Sequence, residues 1–106
     1  NAVDYSFATK AKHRSVKSPS SDKAIKSMEN FGHVFLVEST VSGDFPFRIT
    51  IFDEEFTVWA YKEKFRVNMY KQFPVGKPIL FLGELGVHKG KWQFIVRDPA
   101  WLEVKN

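Results

Sequence analysis

The run Thr57-Val58-Trp59-Ala60-Tyr61-Lys62-Glu63-Lys64-Phe65 sets two large rings two residues apart and follows them with lysines. Side chains alternate between the two faces of a strand. Trp59 and Tyr61 therefore share one face with Thr57, while Phe56, Val58 and Ala60 share the other. Outward rings with cations beside them can stack unpaired bases, each stack contributing about 1–3 kcal/mol whatever the base. The cations placed to serve such a surface are Arg48, Lys62, Lys64 and Arg66, near the central strands and the start of a helix. Lys89 and Lys91, beside His88, lie in a later hairpin. Positive loops flanking aromatic strands make a groove that tracks a phosphate backbone. The competing reading packs Trp59 into the core or into an oligomer interface, where aromatic residues are also enriched. The acidic run Asp53-Glu54-Glu55 falls in a hairpin between two of these strands and would repel phosphates.

Other chemistry is thin. His13, His33 and His88 are scattered, and no paired carboxylates flank a nucleophile. Val75-Gly76-Lys77-Pro78 lacks the rest of a phosphate loop, and neither H-E-x-x-H nor G-x-S-x-G occurs. A binding protein rather than an enzyme is expected, with no cofactor, metal or small-molecule substrate. Without cysteine the chain has no disulfide, zinc–thiolate or thiol chemistry. That favours an intracellular home, with mitochondrion and nucleus both compatible. No run approaches the roughly 18 apolar residues of a spanning helix, so no membrane partner is expected. The chain opens on Asn1 rather than Met, which reads as a trimmed or processed form.

The elements that must hold these residues follow from the pattern. A length of 106 residues implies one domain, and 43% hydrophobic residues with eleven Phe can build a real core. Of the net charge of +4, residues 1–30 carry +3 and the remainder +1. The polyanion signal of charge alone is therefore concentrated in the first third. There, Val3, Tyr5 and Phe7 alternate as in a strand. Residues 15–30, Ser- and Lys-rich with Pro19, read as a mobile basic segment with a short helical turn at Asp22–Met28. From Phe31 onward the chain is strand-like. His33–Val41 reads as a strand, Ser42–Asp44 as a turn, Phe47–Phe52 as a strand, Asp53–Glu55 as a turn and Phe56–Tyr61 as a strand. Phe65, Met69 and Phe73 then recur at helical spacing, closed by Pro74 and Gly76. Strands at Lys77–Leu85 and Trp92–Asp98 flank a glycine turn at Val87–Lys91. Three strands, a short helix and two more strands make an all-β fold, the five-stranded Greek-key barrel of the OB-fold.

The segments FTVWAYKEKF, PVGKPILFLGEL and KGKWQFIV, within residues 56–96, resemble the second half of bacterial-type single-stranded-DNA-binding proteins. Val75-Gly76-Lys77 occupies the turn after the helix, and Leu80, Leu82 and Gly83-Glu84-Leu85 match the following strand. The chain is similar as well to the OB-fold subunits of kinetoplastid mitochondrial RNA-editing complexes. The resemblance implies one OB-fold domain over residues 1–106, with a flexible basic loop or arm at about 10–30. In one register Asn1–Phe7 is the first strand, although it lacks the glycine usual near that strand's end, and His33–Val41 is the second. In the other the barrel starts at Gly32 and residues 1–30 form an arm. The implied partners are single-stranded RNA or DNA, bound through Trp59, Tyr61, Arg48, Lys62, Lys64, Arg66, Lys89 and Lys91, and other OB-fold proteins in a larger nucleic-acid-processing complex. The alternative function is a protein-interaction OB module that scaffolds such a complex.

Overall fold

The computed structural model describes residues 16–103. Five strands, β1 (Val34–Asp44), β2 (Phe47–Ile51), β3 (Glu54–Trp59), β4 (Pro78–His88) and β5 (Lys91–Ile95), close into a barrel in the order β1-β2-β3-β5-β4. One helix, α1 (Glu63–Gln72), connects β3 to β4. All neighbours are antiparallel except β3 and β5, which run parallel. This is the OB-fold, a five-stranded Greek-key barrel with one short helix.

Closure is completed by Val34–Asp44 as the first strand, so the register that begins the barrel near Gly32 is the one this topology follows. The strand expected at Val3–Phe7 lies outside the described residues. Residues 16–30 are pinned to the barrel. The Lys17 amide donates to the Val34 carbonyl and the Leu36 amide to the Lys17 carbonyl, both at 2.9 Å. Ile25 is buried in the main core. The helical turn expected at Asp22–Met28 falls slightly later, as a 3-10 turn at Met28–Asn30 capped by the Ser27 hydroxyl.

Two expected turns are displaced. Ser42-Gly43-Asp44 continues β1 through a bulge between Val41 and Gly43, and the chain reverses at Phe45–Pro46 instead. The Arg48 guanidinium, on the neighbouring strand, lies where a Cβ on Gly43 would stand. Glycine lets that long side chain cross the strand. Asp53-Glu54-Glu55 is not all turn either. Phe52 and Asp53 take φ of 48° and 66° and make a two-residue reversal, so Glu54 and Glu55 already belong to β3. Two successive positive φ values match the right-handed twist of a hairpin's strands. Lys89 and Gly90, at 50° and 76°, repeat the device between β4 and β5.

The interior is aromatic. Phe94 sits among Phe35, Phe56 and Phe81, with ring centroids 6.0, 4.7 and 6.1 Å away. A Cβ on Gly83 would lie 2.8 Å from the Phe94 Cβ and 2.9 Å from the Phe81 ring. The glycine in Gly83-Glu84-Leu85 is therefore a packing requirement of these rings. The helix contributes Met69 to the same core, and Phe73, just past its end, joins it. Burying each large apolar side chain contributes about 1.5–3 kcal/mol. Glu63 in the first turn of α1 and Lys71 in the last suit the helix dipole. After β5, the Asp98 carboxylate caps a 3-10 turn at Pro99–Trp101, and Leu102 bridges Phe81 at the edge of β4.

Candidate nucleic-acid interface

Alternation along β3 buries Phe56 and Val58 and turns Trp59 outward; the strand ends there, two residues short of the expected Tyr61, and beyond it Ala60 is buried while Tyr61 stands outside, Trp59 and Tyr61 being 37% and 61% exposed. The reading that shuts Trp59 inside the barrel is thereby removed.

Outside β3 and β5 lies a groove of about 500 Å³. Its floor is Thr57, Val58 and Trp59 from β3 with Gln93 from β5, where Thr57 and Gln93 are register partners. One wall is the β1–β2 turn, Asp44 to Phe47. The other is the β4–β5 hairpin, with His88, Lys89 and Lys91. Tyr70 reaches the groove from α1. Its ring stacks on Phe47 at 4.5 Å, and its hydroxyl donates to the Val58 carbonyl at 3.0 Å. Burial of the phenol raises its pKa above the ordinary 10.0, and the Arg66 charge offsets part of that rise.

Trp59 is half of a stacked pair. The Arg66 guanidinium lies over its ring at 4.0 Å and is fixed by a 2.8 Å hydrogen bond from Nη1 to the Ala60 carbonyl. The cation lies over one face of the ring, and the indole also lines the groove. A guanidinium on an aromatic face contributes about 0.5–1 kcal/mol at such an exposed site. It also places a positive charge beside any ring stacked there.

Tyr61 is placed differently. It does not line the groove. The Arg97 guanidinium sits 5.5 Å from its ring centroid, and Arg97 is held by Glu84 through two hydrogen bonds, at 2.9 and 2.7 Å. Those bonds, more than any other influence, raise the Arg97 pKa. The charge beside Tyr61 is thus largely balanced.

Of the eight residues singled out from the sequence, the groove gathers Trp59, Lys89 and Lys91, with Arg66 behind Trp59. Lys62 and Lys64 are exposed at the start of α1, outside the groove lining. Arg48 is turned across Gly43, with its Nε 3.8 Å from a Glu55 oxygen and without a hydrogen bond among the described residues. Asp53, Glu54 and Glu55 also stay out of the groove, so the repulsion expected from them is not aimed at its contents.

The residues missed from the sequence are Asp44, Phe45, Thr57, Tyr70 and Gln93. Phe45, 93% exposed, is the most conspicuous. The signal was present: an aromatic residue followed by proline between two alternating runs is turn chemistry. The Ser42–Asp44 turn signal, three residues earlier, masks it. Among the described residues no cluster of His, Cys, Asp or Glu could hold a metal ion, and no helix is long and apolar enough to cross a membrane.

Fold and groove together define a class: an OB barrel with an open aromatic groove between its first and last hairpins, the region where such barrels take oligonucleotides and oligosaccharides. Compared with known proteins, the chain matches no family model, no curated sequence and no solved structure.

Proposed function

We propose that this OB barrel binds single-stranded nucleic acid by stacking bases in the groove and pairing phosphates with its rim, as part of a larger nucleic-acid-processing complex. It acts as a binding module and not as an enzyme. The observation that carries this reading is Trp59: outward on β3, backed by Arg66 and open to a groove walled by Phe45 on one side and Lys89 and Lys91 on the other. Stacking supplies affinity without base choice, and the lysines supply the salt-dependent part.

The test is a titration with single-stranded DNA and RNA oligonucleotides at low and moderate salt, followed by tryptophan fluorescence. Quenching that weakens as salt rises is the expected result. Flat fluorescence at every salt concentration would sink the proposal.

A second reading is favoured by Phe45, which projects almost wholly into solvent from a turn. An exposed ring beside an apolar groove fits an anchor in a contact with another OB-fold protein. On that reading the chain runs in solution as a dimer, or joins a partner barrel, and Phe45→Ser abolishes the association while leaving the barrel intact.

A further inference from the structure

One carboxylate sits where a polyanion site should have none. Asp44 lines the groove, at the end of β1 and beside Phe45. Against phosphate it is a liability. Against a base edge it is a selector, because an ionised carboxylate only accepts hydrogen bonds. It favours an exocyclic amino group, such as cytosine N4, and opposes the carbonyl that thymine and uracil carry at the same ring position. The second polar group that matters is Gln93. It is half-buried on the floor, diagonal to Trp59, since Thr57 pairs with Gln93 and Trp59 with Ile95. Its amide makes no hydrogen bond to any described residue. An amide carries both donors and an acceptor and can turn to suit either pyrimidine. It can hold a base edge without choosing between them.

We propose that the groove is not indifferent to sequence: Asp44 selects bases that present an amino group, cytosine before thymine or uracil, while Gln93 anchors the edge of whichever base stacks on Trp59. This rests on the reading of the groove as a single-strand site. It goes beyond that reading in dividing the polar work between one residue that discriminates and one that only holds. A well-placed pair of this kind discriminates by roughly tenfold.

The experiment compares homopolymeric oligo(dC) and oligo(dT) of equal length at one salt concentration and pH, in the unaltered chain, in Asp44→Asn and in Gln93→Ala. Short oligomers are used, on the alkaline side of neutrality, where cytosine is unprotonated and oligo(dC) does not pair with itself. The expected result is several-fold tighter binding of oligo(dC) by the unaltered chain. In Asp44→Asn the ratio falls toward one. Removing a negative charge strengthens binding to both polymers, which is why the ratio and not the affinity is read. In Gln93→Ala both affinities fall and the ratio stays. Equal binding of both polymers by the unaltered chain, with salt-dependent quenching, overturns the selectivity and leaves the single-strand site standing. An unchanged ratio in Asp44→Asn likewise removes Asp44 as the selector. Binding of neither polymer overturns both proposals.

Discussion

Trp59 and Tyr61 are two residues apart, both outside the core, and each has an arginine over its ring, yet they occupy different kinds of place. Arg66 is tied to a backbone carbonyl, which leaves its charge uncompensated beside Trp59. Arg97 is tied to the Glu84 carboxylate, which cancels most of the charge beside Tyr61. Trp59 opens on a groove and Tyr61 does not. Tyr61 is nevertheless the more exposed ring. Exposure alone is therefore a poor guide to a stacking site. Concavity and net charge separate two positions that local sequence makes look equivalent.

The largest test of that contrast is truncation of each ring. Trp59→Ala should weaken oligonucleotide binding by about 1–3 kcal/mol, the worth of one base–aromatic stack. Tyr61→Ala should change it less than about twofold. Far-ultraviolet circular dichroism of both variants should match the parent, because neither ring belongs to the buried core. Equal losses from the two substitutions would erase the distinction.

A smaller effect separates the cations. Replacing Lys89 and Lys91 with alanine should flatten the dependence of log K on log salt by about 0.7 for each phosphate these lysines neutralise, the single-strand value. Replacing Lys62 and Lys64 should leave that slope nearly unchanged. A greater flattening from the second pair would move the path of the strand toward α1 and Tyr61.

The groove's own wall gives a third test. The Tyr70 phenol is raised by burial, so the folded state holds its proton more tightly than the unfolded chain does. Its contribution to stability is whole below pH 10 and is lost as pH climbs through the folded value. Urea unfolding followed upward from pH 9 should show that decline, and Tyr70→Phe should lessen it. At neutral pH the same substitution should cost about 1 kcal/mol, for the hydrogen bond to Val58. In a spectrophotometric titration of the chain's tyrosines, the late-titrating phenol should vanish in this variant.

The sequence made the barrel legible because β2 and β3 alternate, β4 is a short continuous apolar run, and the helix between β3 and β4 breaks the strand pattern with fourfold spacing. Phe56, Val58 and Ala60 against Trp59 and Tyr61 needed only the pleat. Pairing and charge balance were not legible. Glu84 and Arg97 are thirteen residues apart and meet only because β4 and β5 are neighbours. Arg48 reads as a free cation until Gly43, across the bulge, gives it a bed. The groove depended on turn positions, and Ser-Gly-Asp is a strong turn signal that the sheet overrode by bulging β1. Gln93 and Thr57 carry no signal at all until β3 and β5 are known to lie parallel, side by side.

The smallest effect decides which of the two differences, charge or shape, silences Tyr61. Glu84→Gln keeps a side chain of the same size and removes the charge that holds Arg97. Exposed ion pairs of this kind are worth about 0–1 kcal/mol, so unfolding should shift only slightly. The released guanidinium then stands beside Tyr61 as Arg66 stands beside Trp59. If charge balance is what keeps Tyr61 silent, the variant should bind oligonucleotide modestly tighter at low salt, and its salt slope should steepen by up to about 0.7. A following Tyr61→Ala substitution should cost more in the Glu84→Gln background than in the parent. If neither quantity moves, position outside the groove is the cause, and a ring there binds nothing whatever charge is placed next to it.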